Sequence, residues 1–501
     1  MDIGDNTSSN LPQVGTISQL PHNKLRLGYG SQILGKVIIN ARATTGAGLR
    51  DIADITQVKI PISSPSPNAF LNPGESVLRC KFKITTSAGA GLAHNAEKYI
   101  FRGASTFIRS MKVSHLTKGG TIEKVDNMDM LVQLCKSLLP ASYFESLCWD
   151  VDGSSVNSYV VDTKANLDAD AVKKAINENN KYLADDSPNW ATGGLQKHYN
   201  ADEVNQTMNR TMNKEVEVEI PIPSGVLSSS NSNLIPLFHC PLLLELDLNN
   251  ITTIFKQTVA DTVTKVECEF KYFMSCYQMS DEVSKQVAVL NASEGIVFDY
   301  DRLENIQARI PSGASSYAQT FNFQQVSSVV SAISVLTPDA SLNAFNKDRY
   351  VFRDGSKHGQ DANTGTYVNS LQYGVSSELF PRERLECKPY NYSILHTLAK
   401  SSVLSDGTKF VYITDSNHES QYLGEDEKGN WRGGLADKFH LSMAFSNLNK
   451  DAYKSGLSLV NSPLSIDLNF QNALTENLVL NVWLLHQAEM KVTASDFVVK
   501  R

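Results

Sequence analysis

The feature that most constrains this chain is a strict two-residue alternation of apolar and polar side chains in several segments. In EVEVEIPI, residues 215–222, the apolar positions are Val216, Val218, Ile220 and Ile222, and the acidic positions are Glu215, Glu217 and Glu219. In PLLLELDLNN, residues 241–250, leucines at every second position from Leu242 to Leu248 alternate with a largely polar set. A period of two is typical of a β-strand with one buried and one polar face. The sequence therefore predicts a protein built from β-sheets.

Further strand signals and one helix signal lie nearby. Segments 57–62, 76–86 and 264–279 also alternate, the second less regularly, and Gly119-Gly120 marks a two-residue hairpin turn. Directly after this hairpin the apolar residues recur with the period of a helix, at Met128, Leu131, Val132, Cys135, Leu138 and Leu139. Asp126 or Asn127 is suited to cap this helix, and Pro140 follows its end.

The C-terminal half repeats the motifs of the N-terminal half in the same order. NMDMLVQLCKS, from Asn127, aligns with NYSILHTLAKS, from Asn391, so that Leu131 matches Leu395. PLLLELDLNN, from Pro241, aligns with PLSIDLNFQN, from Pro463. The two motifs are further apart in the first half because it carries a polar insertion. Two ordered matches indicate an internal duplication.

These patterns predict an all-β fold of two consecutive eight-stranded jelly rolls, a double jelly roll, with short helices in the loops between strands. We expect an N-terminal arm over residues 1–50, a first roll over 51–285 and a second roll over 286–501. The first roll includes the insertion 150–213 as an outward loop. The join is expected near 279–295, where the alternation lapses and charge rises.

The order of these motifs resembles that of a known viral family. The residues that carry the likeness are the hairpin and helix at 111–134, the strands at 216–227 and 234–250, and VNSLQYGVSSELFPRERL at 368–385. They are similar to the double jelly-roll major capsid proteins of the tectivirus, adenovirus, virophage and polinton-like lineage. The resemblance implies a structural protein of the virion, whose homotrimers form pseudo-hexagonal capsomers that tile an icosahedral shell. It implies neighbouring capsomers and minor capsid or penton proteins as partners, and leaves room for contact of residues 1–50 with an inner membrane or the genome.

Motifs that carry catalysis are absent from the sequence. No GxxxxGK[ST], GxSxG or HExxH pattern occurs. The glycine-rich segment 87–98 is typical of a flexible loop, and His418 has no second histidine nearby to share a metal ion. Glu215, Glu217 and Glu219 are interpreted as charges that discourage wrong pairing of a strand edge. We therefore predict no catalytic, cofactor-binding or metal-binding residue, no cofactor and no enzyme activity.

The net charge and the cysteine pattern argue against further classes of protein. The formal net charge of −7 argues against a protein that coats nucleic acid, and we expect no sequence-specific nucleic-acid binding. Seven cysteines without a CxxC pair indicate thiols of a reducing compartment. The first twenty residues lack the features of a signal peptide, so assembly inside the host cell is expected.

Two alternatives remain open at this point. A two-domain cupin enzyme also duplicates a β-barrel, but it needs a histidine-rich metal set, and none of the ten histidines here has HxH spacing. A viral spike or lectin-like attachment protein would share the β architecture without requiring two helix-containing rolls. Metal analysis would separate the first alternative, and a shell-forming assay the second.

Overall fold

The fold is described from a computed structural model of the 501-residue chain. The structure describes residues 33–86, 99–101, 103–138, 215–220, 222–227, 234–257, 263–323, 326, 328–345, 349–350, 368–376, 378–380, 382, 384, 441–445, 457–460, 462–470 and 472–500.

The described residues of the first half form thirteen strands. They are β1 (Ile33–Arg42), β2 (Arg50–Asp51), β3 (Gln57–Ile62), β4 (Ala69–Leu71), β5 (Val77–Thr86), β6 (Tyr99–Phe101), β7 (Ile108–His115), β8 (Thr121–Val125), β9 (Glu215–Ile220), β10 (Ile235–Pro236), β11 (Leu242–Leu248), β12 (Phe255–Gln257) and β13 (Val263–Met279).

The described residues of the second half form nine strands. They are β14 (Ile296–Ile310), β15 (Ser316–Phe321), β16 (Val329–Pro338), β17 (Val368–Val375), β18 (Glu378–Phe380), β19 (Leu441–Ala444), β20 (Leu464–Phe470), β21 (Leu478–Val492) and β22 (Phe497–Lys500). The helices of the described residues are α1 (Met128–Leu138), α2 (Ile251–Ile254) and α3 (Asp281–Ala292), with 3-10 turns at Pro73–Glu75, Ala104–Phe107 and Asp339–Ser341.

Each half contains two facing antiparallel sheets. In the first half, one sheet has the order β10-β4-β13-β5-β9, with β1 and β2 also paired to β13, and the other has the order β3-β11-β7-β8. Strands β6 and β12 form a separate pair. In the second half the orders are β14-β21-β16-β19, with β22 paired to β21, and β15-β20-β17-β18.

The two halves share one strand order. Strands β1, β3, β5, β7, β8, β9, β11 and β13 of the first half take the places of β14, β15, β16, β17, β18, β19, β20 and β21 of the second. The aligned motifs at 241–250 and 463–472 become β11 and β20, which each lie between equivalent neighbours. We call the two units the first and second roll, β1 being the first strand of the first roll. Eight strands in each roll stays a prediction, since parts of both halves lie outside the described residues.

The predicted alternation produces the strand faces as expected. In β13 the even-numbered residues from Val266 to Cys276 are buried, and in β11 Leu242, Leu244 and Leu246 are fully buried. Strand β9 buries Val218 and Ile220, whereas Glu215 and Glu217 are exposed. Because one face of each strand packs into the core, the register is set by the apolar pattern.

The predicted hairpin and the first helix are confirmed. Strands β7 and β8 pair as expected, but their connection is longer than the predicted two residues, because β7 ends at His115 and β8 begins at Thr121. Gly119 and Gly120 within this connection both have positive φ, at 69° and 83°. Helix α1 follows at once, and Asn127 before it takes the left-handed conformation, with φ of 51°, that asparagine tolerates better than most residues. The matching helix predicted from Asn391 lies outside the described residues, as do the insertion 150–213, the loop 87–98 and His418.

The structure also contains elements that the sequence interpretation did not anticipate. Residues 33–42, inside the predicted arm of 1–50, form strand β1, which pairs with β13 from Ile33 to Arg42. This strand was not predicted because most of its side chains are exposed, and its sequence therefore lacks the alternation of the other strands. At the predicted join lies helix α3, whose first turn is capped by the Ser280 side chain. The domain boundaries themselves stay predictions.

Candidate functional site, the joint between the two rolls

One hydrophobic core cluster contains side chains of both rolls, and we call the region where the rolls meet the joint. Leu480, Val482 and Leu484 of β21 face the second roll's own core. Trp483 and Leu485, on the opposite face of the same strand, belong to the core cluster of the first roll. Ile333 and Val335 of β16 join the same cluster from the neighbouring strand, and so do Phe298, Met490 and Val492. This sheet of the second roll is therefore buried on both faces where the first roll packs against it.

Two edge strands meet at the joint. Strand β8 is the edge of one sheet of the first roll, and β14 is the edge of one sheet of the second. The Tyr300 hydroxyl and Arg302 Nη1 of β14 both donate to the carbonyl oxygen of Ile122 in β8, at 2.8 and 3.2 Å. Trp483 Nε1 donates to the carbonyl oxygen of Asp126 at 3.2 Å. Buried carbonyl groups at the edge of the first roll are thus satisfied by side chains of the second.

Glu123 is a buried acid beside this contact. Its carboxylate accepts from Ser224 Oγ at 2.6 Å and from the Gly225 amide at 3.1 Å, in the turn that covers the end of β8. Burial raises the pKa of Glu123 to about 7, although these two hydrogen bonds and the nearby charge of Arg302 act in the opposite direction. The proton on this carboxyl group is therefore held up to near-neutral pH in the folded chain.

This gives a pH-dependent contribution to stability. Between its usual value of 4.5 and its folded value of about 7, Glu123 keeps its proton in the folded chain and loses it in the unfolded chain. Its contribution to the free energy of unfolding is thus complete below pH 4.5 and is lost as pH rises to about 7, with a slope of up to about 1.4 kcal/mol per pH unit.

We expect Glu123→Gln to remove this slope, as measured by urea unfolding across that pH window. The contribution of His115 to the free energy of unfolding changes with pH in the opposite direction, because burial and then Lys118 lower its pKa to about 4. Both proteins contain His115, so subtracting the pH profile of the variant from that of the wild type leaves the contribution of Glu123 to the free energy of unfolding. Parallel pH profiles for the two proteins would contradict the prediction.

Gly225 lets the two rolls come into backbone contact. A Cβ atom at this position would lie 1.5 Å from the carbonyl oxygen of Asp301 in β14. No side chain fits that gap without moving one roll away from the other. We expect Gly225→Ala to lower the free energy of unfolding by about 1–3 kcal/mol through this overpacking. Gly35→Ala is the matched control, since a Cβ there meets nothing within 4 Å, and equal melting temperatures of the two variants would refute the prediction.

A buried ion pair ties helix α1 to the second roll. Asp129, fully buried, lies 3.1 Å through Oδ2 from Arg349 Nε. The same carboxylate oxygen accepts from the Tyr350 hydroxyl at 3.2 Å and from Asn249 Nδ2 at 3.0 Å. Arg349 and Tyr350 come from the second roll, whereas Asp129 and Asn249 come from the first. One carboxylate thus collects donors from both rolls.

Amide side chains extend this polar network. Asn127 Nδ2 donates to Asn305 Oδ1 at 2.9 Å, and Asn305 Nδ2 donates to the carbonyl oxygen of Val482 at 3.2 Å. Gln307 Nε2 donates to Asn481 Oδ1 at 2.7 Å. Of these contacts, the one between Asn127 and Asn305 crosses between the rolls, whereas the other two lie within the second roll.

The last hairpin of the chain closes the joint from another side. Phe497, at the start of β22, lies with its ring 5.2 Å from that of His115. Lys118, in the β7–β8 turn, donates through Nζ to the carbonyl oxygens of Thr493 and Asp496. The C-terminal strand of the second roll therefore rests on the hairpin of the first.

The glutamates of β9 have a role that the sequence only partly indicated. Strand β9 is an edge of its sheet within the described residues, which fits the interpretation of charges at an edge. The glutamates are paired, however: Glu219 with Arg79 at 3.1 Å, and Glu215 with Lys81. They thus form a cross-strand ladder of ion pairs with β5.

The joint residues were not singled out from the sequence. Glu123 and Asp129 each have apolar neighbours in the sequence, and this was the only signal that their side chains are buried. Arg349 lies in a segment that has neither strand nor helix periodicity. Four described cysteines, Cys80, Cys240, Cys268 and Cys276, are buried.

The described residues contain neither a cluster suited to a metal ion nor a helix suited to cross a membrane. No group of three or more His, Cys, Asp or Glu side chains in this part of the chain is arranged to hold a metal ion. In the same residues, no helix has the length and apolarity needed to cross a membrane. Beside Gly225 and Tyr300, the joint leaves a cavity of about 20 Å³, which is about the space of one water molecule.

Several solved structures of viral capsid proteins have an architecture similar to that of this chain. VP54 of PBCV-1, fitted into a reconstruction of the virophage Sputnik, superposes with a TM-score of 0.53 over 95% of this chain and 99% of its own, at 9% identity. The Faustovirus major capsid protein gives a TM-score of 0.52 over 93% and 92%, at 7% identity. The Sputnik virophage structure gives 0.50 over 96% and 91%, at 10% identity. The chain has a double jelly-roll fold.

The resemblance drawn from the sequence is thereby confirmed at the level of the fold. The match to the first of these structures covers nearly the whole chain. No family model matches the sequence, and no curated protein matches it either.

Proposed function

We propose that this chain is a structural major capsid protein, without enzyme activity, whose homotrimers form pseudo-hexagonal capsomers of an icosahedral virion shell. The observation that carries the proposal is the joint. Its apolar core and its buried polar network, centred on the ion pair of Asp129 with Arg349, join two rolls of the same strand order into one unit. A shell subunit needs a rigid joint because it must hold its two rolls in fixed positions relative to the neighbouring subunits.

The shared fold supports the same proposal. The solved structures with this double jelly roll include a Faustovirus major capsid protein and capsid structures of PBCV-1. Partners follow from that role: other copies of this chain, neighbouring capsomers, and minor capsid or penton proteins, with the virion as its location. An interior contact of the residues that precede β1 with a membrane or the genome, and an outward position for 150–213, belong to the same proposal.

The state of association tests the proposal. Two rolls in one chain supply two of six near-equivalent sides, so three chains complete a hexagonal tile. We expect light scattering of the purified protein to give three times the chain mass of 55.2 kDa. A stable monomer at micromolar concentration would count against the capsid role. Metal analysis of the same sample tests the cupin alternative, which requires a bound metal ion.

A further inference from the structure

Strand β15 of the second roll has one side that faces away from its sheet. It lies at the end of the order β15-β20-β17-β18, so it pairs with β20 on one side only. The amide of Phe470 donates to the carbonyl oxygen of Ser315 at 2.9 Å, in the same register as the β15–β20 pairing. In an antiparallel pair, residues that exchange hydrogen bonds with the neighbour alternate with residues whose backbone groups point away from it. The backbone groups of Ser316, Ala318 and Thr320 therefore point outward from the edge.

These outward groups are accessible. Among the strands of the described residues, β20 is the one that pairs with β15. Ser316, Ala318 and Thr320 are all exposed. An exposed strand edge is a template on which another strand can pair through its backbone.

Strand β3 is the counterpart of β15 in the first roll, and the register of the two sheets matches their residues. The aligned strands β11 and β20 place Glu245 and Asp467 at the same position. Lys59 of β3 lies opposite the first of these acids, and Ala318 of β15 lies opposite the second. Lys59 and Ala318 are therefore counterparts.

The edge of the first roll is closed at these positions. The backbone of Lys59 exchanges hydrogen bonds with Thr44 and Thr45, at 2.8 and 3.4 Å. Two residues further along, Pro61 has no amide hydrogen and stands where the second roll has Thr320. Lysine and proline are residues that commonly protect a strand edge from pairing. The second roll has an alanine and a threonine at these two positions, so its edge lacks both protections.

The open edge also carries no charge. From Ile310 to Pro338 the sequence contains no Asp, Glu, Lys, Arg or His. The carboxylate of Asp467, which lies opposite Ala318 on β20, is paired with Arg384. Like charges that face each other across two strands are destabilising, and two copies of this edge have none to oppose. The edge is therefore suited to pair with a second copy of itself.

The spacing of the outward residues fits an antiparallel pair of identical strands. With Ala318 of one copy opposite Ala318 of the other, Ser316 of each copy lies opposite Thr320 of the other. All three positions then exchange backbone hydrogen bonds, about six in total. The hydroxyl side chains of Ser316 and Thr320 face each other, a combination that stabilises antiparallel pairs. A two-fold axis at Ala318 generates this contact.

We propose that the β15 edge pairs with the β15 edge of a second copy of this chain, antiparallel and centred on Ala318, so that two sheets become one continuous sheet. Strand β15 lies at the opposite end of its sheet from β18, the counterpart of the strand β8 that takes part in the joint. Because the pairing is two-fold, in the proposed shell it joins chains of different trimers, and in this respect alone the inference rests on the proposed function.

Thr320→Pro tests the backbone pairing. The proline removes an outward amide and adds a ring at the edge, and it leaves the β15–β20 hydrogen bonds in place, because Thr320 does not bond to β20. Pro61 at the counterpart position of the first roll indicates that the fold accepts this residue. Sedimentation velocity over a concentration series measures the association of wild-type trimers into larger multiples. We expect Thr320→Pro to raise the concentration of half-association at least about tenfold, with an unchanged melting temperature.

Two charged variants test the register and act as controls for each other. In Ser316→Lys/Thr320→Lys, every lysine faces a lysine of the other copy, so we expect the concentration of half-association to rise at least about tenfold. In Ser316→Lys/Thr320→Glu, every lysine faces a glutamate, so we expect association at least as strong as that of the wild type at low salt. Both variants change the same two exposed positions, and they differ only in the sign of one charge.

The outcomes separate the inference from the proposed function. A wild-type trimer that does not associate further would overturn the inference and leave the proposed function standing. Equal association of Thr320→Pro and the wild type, or equal association of the two charged variants, would do the same. A wild-type monomer whose dimer is lost in Thr320→Pro would support the edge pairing and overturn the proposed trimer. A wild-type monomer that does not dimerise would overturn both.

Discussion

Asp129→Ala is expected to lower the free energy of unfolding by about 3–5 kcal/mol, because it leaves the guanidinium group of Arg349 buried at the joint without its partner. The Tyr350 hydroxyl and the Asn249 amide lose the same acceptor. Chemical denaturation followed by circular dichroism measures the change. If the joint melts before the rolls, the transition should also become broader or split in two.

Two further variants define what this result means. Asp126→Ala removes a surface carboxylate three residues earlier, paired at 2.7 Å with Lys124, and should cost less than about 1 kcal/mol. The double variant Asp129→Ala with Arg349→Met removes both charges and should recover much of the lost stability. An Asp129→Ala protein as stable as the Asp126→Ala protein would show that the ion pair does not hold the rolls together.

Leu131→Ala is expected to cost about 2–5 kcal/mol, since Leu131 is fully buried on α1 and its loss leaves a cavity. Val289→Ala, at an exposed aliphatic position on α3, should stay within about 0.5 kcal/mol of the wild type. Leu395, the sequence counterpart of Leu131, lies outside the described residues. If the duplication extends to this helix, Leu395→Ala should produce a loss similar to that of Leu131→Ala in thermal melts. A large loss for Leu131→Ala and none for Leu395→Ala would contradict equivalence of the two helices.

The glutamates of β9 illustrate that a local sequence pattern can predict the strand face of a charged side chain but not the residue with which it pairs. The alternation in 215–220 correctly predicted that glutamates share one strand face, since that depends only on the two-residue period of a strand. Their pairing with Arg79 and Lys81 depends on the register of β9 against β5, which joins residues far apart in the chain. The alternation within each segment fixes which of its faces is buried, but it does not specify that these two distant segments pair with each other.

The sequence by itself determined the strand faces, the hairpin at Gly119-Gly120, helix α1 and the order of two similar rolls. Each of these follows from a period or a turn residue within a short stretch of chain, so each can be read without a partner. The repeat added long-range information only because one half could be compared with the other, as the matched strands β11 and β20 demonstrate.

The tertiary structure alone decided which surfaces of the two rolls are covered. Strand β21 is buried on both faces and its counterpart β13 on one, although both have the same place in their sheets. The charged residues Glu123 and Asp129 became buried joint residues, whereas Ile38 and Leu379, both apolar, remained exposed. The physical reason is that a strand's second face and a sheet's edge are buried or exposed according to what packs against them, and that partner is a distant segment of the chain.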